Sequence, residues 1–286
     1  MINNSRFKRV VVFGSKGFIA SNLKTYLTNK KLKSLFISKK RINLTKSNSS
    51  DLIKSIIKKE DTIVFISAKA PVKNLSMFNE NISMIKNFIN ALENIKFKHL
   101  IYISSDAVFL DTKKMINEET VKDPSSLHGL MHLTRENILK QYFKDKLCIL
   151  RPTLIYGNTD THNGYGPNQF IRLAKKNINL KIFGKGEEKR DHVWVTDVVD
   201  LIYRCIKARF VGSLNIASGE LISFNRLAKF VITNSDSKSK IEYIPRIGPM
   251  PHLGYRSFDI SKSYKTFKKF KYKSIKKIVY QIYKYY

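Results

Sequence analysis

Residues 9–20, Arg-Val-Val-Val-Phe-Gly-Ser-Lys-Gly-Phe-Ile-Ala, decide the fold of this chain. An apolar, β-branched run at residues 10–13 leads into a turn that contains Gly14 and Gly17, and a helical pattern follows. Glycine lets the backbone approach a phosphate closely, and a helix N-terminus attracts an anion. The stretch therefore predicts a βαβ unit that binds the pyrophosphate of a dinucleotide, with contacts at Gly14, Ser15, Lys16, Gly17, Phe18 and Ile19.

Apolar strands alternate with helical segments through the first half of the chain. We expect strands at residues 10–13, 35–38, 62–67, 100–104 and 147–150. We expect helices at residues 17–29, 51–59, 75–94 and 126–143. Because strands that are separated by helices pair in parallel, this pattern predicts an α/β fold with a Rossmann-like, doubly wound parallel sheet.

A loop rich in Gly, Asn and Thr at residues 156–168 marks a change of pattern, and shorter elements follow it. It predicts a smaller C-terminal substrate-binding lobe. We expect residues 1–155 to form the dinucleotide-binding domain, with residues 190–217 returning to it. Residues 156–189 and 218–286 would then form the lobe.

The formal net charge is +31, from 53 Lys and Arg against 22 Asp and Glu. These lysines are spread over the whole chain and accompany no nucleic-acid-binding motif, so we expect no nucleic-acid partner. Cys148 and Cys205 lie in apolar stretches, which predicts buried free thiols and a cytoplasmic protein. Cys and His show no metal-ligand spacing, so we expect no metal site.

No signal peptide is expected, because residues 1–8 are polar and basic, and no apolar run is long enough to span a membrane. The last segment carries an apolar stripe at helical spacing, formed by Ile275, Ile278, Val279, Ile282 and Tyr283. Docking of this helix on the protein is favoured over binding to a membrane surface.

Further motifs follow the glycine turn in a fixed order, at residues 62–71, 102–109, 150–157, 183–193 and 215–219. Together they resemble the extended short-chain dehydrogenase/reductase family, which includes nucleotide-sugar epimerases, dehydratases and reductases. The resemblance implies NAD or NADP as cofactor and a nucleotide-diphosphate sugar as substrate. It implies a helix that begins near Asn81, and further cofactor contacts at Ser67, Ala68, Lys69, Ser104 and Pro152. The sequence leaves open whether the chain forms a homodimer.

The choice between NAD and NADP depends on the end of the second strand. NAD-binding folds usually place an acidic residue there, whereas this chain has Lys40 and Arg41, which suit a 2′-phosphate. Asn43 and Leu44 occupy positions that the resemblance places near the adenine. Both cofactors remain open, because basic residues are frequent throughout this chain.

The catalytic Tyr-x-x-x-Lys pair of that family is replaced in this chain. Its frame, P-x-x-x-Y-G-x-x-K-x-x-x-E, is recognisable at residues 124–136, but His128 and His132 fill the two catalytic positions. Imidazole is a competent acid and base near neutral pH, so we expect His128 to handle the proton and His132 to bond the ribose. Tyr156 and Tyr165 are alternative proton donors. The other hypothesis is a catalytically silent nucleotide-binding or scaffold protein.

Ser105 is expected to hydrogen-bond the reacting oxygen, with a strand-end cap as the alternative. The glutamate of the family's dehydratases is replaced by Ala107, so an epimerase or a 4-keto reductase is favoured. Arg190 is the best candidate for the diphosphate, because a guanidinium is a charged bidentate donor. The alternative role for Arg190 is a surface ion pair with Glu187 or Glu188. Asn168 and Arg256 are expected as further substrate contacts.

Overall fold

The computed structural model describes residues 9–160 and 163–285. Its contacts divide the chain into two units. The first unit comprises the described part of Met1–Leu110 together with Val121–Arg151 and Val199–Leu214. The second comprises Asp111–Thr120, Pro152–Val198 and the described part of Asn215–Tyr286.

The strands of the described chain are β1 (Arg9–Phe13), β2 (Ser34–Ile37), β3 (Asp61–Phe65), β4 (His99–Ile103), β5 (Leu147–Pro152), β6 (Leu154–Tyr156), β7 (Leu180–Phe183), β8 (Lys189–Trp194), β9 (Gly212–Ile216), β10 (Leu221–Ser223), β11 (Ile241–Ile244) and β12 (Tyr255–Arg256). The α-helices are α1 (Phe18–Asn29), α2 (Ser49–Ile56), α3 (Leu75–Leu92), α4 (Leu127–Phe143), α5 (Pro167–Lys175), α6 (Val195–Ala208), α7 (Phe224–Thr233), α8 (Ser261–Thr266) and α9 (Ile275–Tyr285). Short 3-10 turns lie at Asp106–Val108, Lys144–Lys146 and Pro251–Gly254.

The first unit carries a six-stranded sheet in the order β2-β1-β3-β4-β5-β9. Strands β1 to β5 pair in parallel, and every residue of β3 and β4 is buried. Continuous apolar strands of this kind are typical of a sheet that is covered on both faces. The expected α/β fold with a parallel central sheet is confirmed.

Helices α2 and α3 contribute to an apolar core that includes strands β1, β3 and β4. In this core the Phe88 ring stacks on Phe65, with ring centroids 4.3 Å apart. The helix expected over residues 75–94 is confirmed, whereas the start near Asn81 that the resemblance implies is wrong. Helix α3 begins after Asn74, whose side chain accepts a hydrogen bond from Met77 N at 3.0 Å and caps the helix. Asn81 lies in the helix interior and is buried.

The second unit contains a four-stranded sheet, in which β10, β12 and β6 pair with β8, and a parallel pair of β7 and β11. The apolar stripe of α9 is buried in the core of this unit, which confirms docking of the C-terminal helix. None of the helices in the described part of the chain is both long and apolar enough to cross a bilayer. Cys148 and Cys205 are free and buried, as expected.

Candidate functional site

The glycine turn between β1 and α1 is shaped by two different requirements. Gly14 has φ +102°, and a Cβ there would lie 2.8 Å from Ser67 N, so the protein itself requires glycine at this position. Gly17 has φ −75°, and the nearest atom to an added Cβ is Gly14 O at 3.6 Å. A Cβ at Gly17 would therefore make only an ordinary van der Waals contact with the protein.

Helix α1 begins without a side-chain cap and without an acidic residue in its first turn. Its first N–H groups lack intrahelical partners, as at every helix start, and they carry partial positive charge. The helix start therefore suits a bound anion.

A cavity of about 220 Å³ lies over this turn. It brings together eight of the predicted cofactor contacts: Gly14, Ser15, Lys16, Gly17, Asn43, Leu44, Ser67 and Ala68. The other predicted contacts do not line it: Phe18, Ile19, Lys40, Arg41, Lys69, Ser104 and Pro152. Lys39 was not among the predicted contacts. Of the three basic residues that follow β2, it is the one that lines the cavity, whereas Lys40 and Arg41 do not.

Helix α4 packs closely on the turn that follows β4. A Cβ on Gly129 would lie 2.0 Å from Ala107 O, so only glycine permits this approach. Ser126 caps the helix by accepting a hydrogen bond from Gly129 N at 3.1 Å. The contact places His128, the preceding residue, beside the segment that carries Ser105 and Asp106.

A buried ion pair holds α4 against the sheet. Arg151 on β5 donates to Glu136 on α4 through Nε and Nη2, at 2.7 Å for each bond. Ser104 Oγ donates to the same carboxylate at 2.6 Å. The hydroxyl of Ser104, a predicted cofactor contact, is thus engaged in the scaffold. This network joins β4, α4 and β5 around the candidate catalytic residues.

His128 and His132 form one cluster, with ring centroids 4.7 Å apart and the rings perpendicular. His128 is half-buried, and its Nδ1 accepts a long hydrogen bond from Val72 N at 3.5 Å. Burial lowers its pKa below the usual 6.5, and the Asp106 carboxylate opposes that shift. The His132 side chain is buried and lies with Nδ1 2.7 Å from Tyr102 Oη. Burial, and then His128 and Arg135, hold its pKa well below 6.5.

The Ser105 side chain caps the 3-10 turn, because its Oγ accepts a hydrogen bond from Ala107 N at 3.2 Å. This is the capping arrangement that the sequence offered as an alternative. The residue is half-buried, and its Oγ also donates a long hydrogen bond to Asp106 Oδ1 at 3.5 Å. The cap leaves the hydroxyl proton usable, but a contact with a reacting oxygen would have to replace the bond to Asp106.

In the second unit, Arg190 and Arg246 share one carboxylate. Arg190 Nη1 donates to Glu188 Oε1 at 3.1 Å, and Arg246 Nη1 lies 3.5 Å from Glu188 Oε2. The ion-pair alternative for Arg190 is thus present, but with a buried Glu188. The Nε atoms of both arginines are buried and have no hydrogen-bond partner among the described residues. Sequence reasoning missed Arg246, because it lies far along the chain, after β11.

The two other predicted substrate contacts are engaged within the second unit. Asn168 holds a loop, since its Nδ2 donates to Asp160 Oδ2 at 2.7 Å and its Oδ1 accepts from Gly157 N at 3.0 Å. Arg256 is fully buried and donates to Asp111 Oδ1 at 3.1 Å. Neither of them pairs with Glu188 in the described residues, unlike Arg190 and Arg246.

The alternative proton donors Tyr156 and Tyr165 belong to the apolar core of the second unit. Tyr156 is 1% exposed, and burial raises its pKa well above the usual value. Tyr165 Oη accepts a hydrogen bond from Phe183 N at 3.3 Å, and its ring packs against Phe224. The packing of both rings is that of core residues.

Comparison with known sequences agrees with this arrangement. The sequence profile of the NAD dependent epimerase/dehydratase family matches residues 10–217. The chain belongs to this family. The match includes the glycine turn, α4 with its two histidines, and Arg190. It ends before Arg246.

Relatives within the NAD dependent epimerase/dehydratase family include a dTDP-D-glucose 4,6-dehydratase of Dictyostelium discoideum, 26% identical over 279 residues. That alignment covers 80% of this chain and 62% of the relative. A GDP-mannose 3,5-epimerase of Oryza sativa subsp. indica is 27% identical over 187 residues, which cover 60% of this chain and 50% of the relative. The chain thus spans less than two thirds of the length of these relatives.

A solved structure from Methanobrevibacter ruminantium has the same fold, with a TM-score of 0.83 and 21% identity. The match covers 98% of each chain. That protein is a UDP-N-acetylglucosamine 4-epimerase in complex with UDP-N-acetylmuramic acid.

Proposed function

We propose that this chain is an NAD(P)-dependent enzyme that epimerises or reduces the sugar of a nucleotide-diphosphate sugar, with His128 as the acid and base. The observation that carries the proposal is the close contact of Gly129 with Ala107. It supports the proposal because it brings α4, with His128, beside the segment that carries Ser105 and Asp106. The family match and the relatives' activities on nucleotide sugars support it.

The residues of the first unit fit a dinucleotide. The Gly14 turn, the uncapped start of α1 and the absence of a side chain at Gly17 suit a pyrophosphate. Asn43 and Leu44 line the same cavity for an adenosine end, and Lys39 offers a cation to a 2′-phosphate. NAD or NADP, when bound, supplies the hydride acceptor and donor.

His128 is suited to exchange the proton. Its lowered pKa keeps the ring neutral near pH 7, and a neutral ring can accept a proton from a sugar hydroxyl as hydride leaves the sugar carbon. The Val72 contact at Nδ1 favours the Nε2–H tautomer. Acceptance at Nε2 therefore requires the ring proton to lie on Nδ1, which breaks this long contact. In the reductive direction, the protonated ring would return the Nε2 proton to the keto oxygen as hydride reaches the carbon, which leaves the ring neutral again.

For the second unit we propose that Arg190 and Arg246 bind the diphosphate. Two guanidinium groups that converge on one carboxylate form a cationic site suited to a phosphate anion. Glu188 must then yield its place to the substrate. The same carboxylate favours the second candidate, a nucleotide-binding protein without turnover, because it already neutralises the arginines.

Native mass spectrometry of the purified chain should show a retained dinucleotide and identify it. A panel of nucleotide sugars is then tested by product chromatography and by the absorbance of the reduced nicotinamide. His128→Ala should abolish turnover and leave cofactor affinity within about twofold, because only the proton-handling group is lost. His99→Gln is the matched control, since His99 is a buried histidine at the other end of β4. An unchanged rate in His128→Ala refutes its role, and no turnover over the panel favours the silent protein.

A further inference from the structure

Three helices of the second unit carry cations without a balancing acid. Helices α5, α7 and α9 contain no Asp or Glu, whereas α2, α3, α4 and α6 each contain at least one. Helix α1 also lacks an acid, but it carries a single lysine. Residues 260–286 extend the pattern in the sequence, with nine lysines and no acid. Because lysine is frequent throughout the chain, the missing acids are what distinguish this region.

The three helices pack against one another, so their outer faces adjoin. Apolar side chains of α5, α7 and α9 belong to one buried core. Arg226 on α7 and Lys276 near the start of α9 line one cleft. Lys175 on α5 reaches the last turns of α9, where its Nζ donates to Ile282 O at 3.2 Å. The exposed cations of these helices form what we call the basic face: Lys175, Arg226, Lys229, Lys276, Lys277 and Lys284.

Helix α9 has an exposed side on which Lys276, Tyr280 and Lys284 follow one another at intervals of four residues. Tyr280 is 45% exposed, and Lys284 Nζ lies 5.9 Å from the centroid of its ring. Glu220 lies beside the start of this helix and is engaged there, since its Oε2 accepts a hydrogen bond from Ile275 N at 3.1 Å. An aromatic ring with a hydroxyl, placed between ammonium groups, suits the boundary between water and lipid.

We propose that the basic face docks the protein on the surface of a phospholipid bilayer that contains anionic lipids. The apolar stripe of α9 is buried in the protein core and is not available to lipid. Association is therefore peripheral and electrostatic, without insertion of the helix. Clusters of about four to eight cations are attracted to anionic lipids, and each lysine near such a surface strengthens binding roughly fivefold.

A bilayer fits this face better than a nucleic acid does. Five of its six cations are lysines, and an ammonium is a point charge that suits a diffuse array of lipid headgroups. Nucleic-acid sites rely more on the planar fork of arginine. Single strands also stack their bases on several aromatic rings, whereas Tyr280 is the one exposed ring among the described side chains of α5, α7 and α9.

The test is sedimentation of the full chain with two kinds of vesicle, one of phosphatidylcholine and one of phosphatidylcholine mixed with phosphatidylglycerol. At an ionic strength of about 0.1 M, where the Debye length is about 10 Å, the wild type should bind the anionic vesicles at least about tenfold more strongly. At about 1 M this difference should disappear, since the Debye length falls to about 3 Å. Absence of binding to the anionic vesicles at the lower ionic strength would overturn the proposal.

The decisive variant carries Lys276→Gln, Lys277→Gln and Lys284→Gln together. It removes three charges from the basic face and keeps the buried stripe of α9. Glutamine is nearly as good a helix former as lysine, so the helix should stay folded and docked. Binding to the anionic vesicles should weaken at least about tenfold, because three lysines no longer face the lipid charge.

The matched control carries Lys24→Gln, Lys86→Gln and Lys96→Gln, at three exposed lysines of the first unit. The net charge of the chain changes by the same amount, yet binding should weaken less than about twofold, because these lysines lie outside the basic face. Equal weakening in the two variants would show that binding follows net charge alone, and it would refute a defined docking face.

Both variants are also titrated with a duplex DNA fragment. If the α9 variant loses affinity for DNA but keeps its affinity for anionic vesicles, the basic face binds nucleic acid and the proposal is wrong. No substrate or cofactor enters these measurements, so their outcome is independent of the proposed reaction.

Discussion

Glu188 Oε1 accepts a hydrogen bond from Arg190 Nη1 at 3.1 Å, and both side chains are buried. The second carboxylate oxygen faces Arg246 Nη1 at 3.5 Å. A carboxylate between two guanidinium groups neutralises a site that would otherwise attract an anion. Arg190 and Arg246 hold an internal carboxylate in this structure, and we propose that they bind a diphosphate when Glu188 moves away.

Replacing Glu188 with Gln should increase the affinity for inorganic pyrophosphate about tenfold, because the two arginines lose their internal counter-ion. Isothermal titration calorimetry measures this change. Glu187→Gln is the matched control, since Glu187 is the exposed neighbour and should have little effect. Equal pyrophosphate affinities in the two variants would mean that Arg190 and Arg246 stabilise the fold and do not bind the diphosphate.

Arg246→Met should lose affinity for pyrophosphate, whereas Arg256→Met should lose stability. Loss of Arg246 removes a donor from the proposed diphosphate site and should weaken pyrophosphate binding at least about tenfold. Loss of the fully buried Arg256 removes its charge-assisted hydrogen bond to Asp111 at 3.1 Å, while Asp111 keeps its contact with His252 Nδ1 at 2.5 Å, and should lower the free energy of unfolding by about 2 kcal/mol. Calorimetry and urea unfolding of both variants separate the two effects. The reverse pattern would assign Arg256, not Arg246, to the ligand.

Alanine at Gly14 and at Gly17 should separate folding from phosphate binding. Gly14→Ala forces a Cβ into a φ of +102° and towards Ser67, so we expect a loss of about 2 kcal/mol in stability. Gly17→Ala meets no protein atom closer than 3.6 Å and should leave stability within about 0.5 kcal/mol. It should still weaken cofactor binding about tenfold, because the methyl group enters the phosphate approach. Urea unfolding measures the stability of both variants, and fluorescence titration measures their cofactor affinity. Full cofactor affinity in Gly17→Ala would contradict the proposed binding of the pyrophosphate at this turn.

Stability should fall as the pH falls below about 6.5, because the pKa of His132 is depressed in the folded chain. A histidine that is neutral when folded binds its proton in the unfolded state first, so stability is present above the unfolded pKa and lost below it. Between about pH 7.5 and about pH 5.5 the loss from one such group is about 1.4 kcal/mol. Other depressed histidines add to it, and burial lowers the pKa of His192 to about 3.

His132→Gln should remove one histidine's share of this loss, since glutamine can form a hydrogen bond with the Tyr102 hydroxyl in either direction but does not titrate. Urea unfolding at both pH values compares the variant with the wild type. The same loss of stability in both chains would show that His132 is not depressed.

Local patterns in the sequence predicted the parallel sheet and the glycine turn. Strands β1 to β5 and the first four helices lie within a few residues of the expected bounds, because burial on both faces and helical periodicity are written into neighbouring residues. The start near Asn81 that the resemblance implied for the third helix is wrong for a local reason, since Asn74 provides the cap at an earlier position. The frame at residues 124–136 was likewise a local pattern, and it identified His128 and His132 as candidates.

Contacts between residues far apart in the chain could come only from the tertiary structure. Arg246 meets Glu188 across 58 positions of sequence, and Arg135 reaches Ser67 O and Asn81 through α4 packing. Whether a polar side chain is engaged in the scaffold or available to a ligand depends on such partners, which no periodicity encodes. The sequence by itself determined a Rossmann-like parallel sheet with a glycine turn, and it singled out His128 and His132 as candidates. The tertiary structure decided which cations are paired and which histidine is buried, because pairing and desolvation depend on residues that are far apart in the chain.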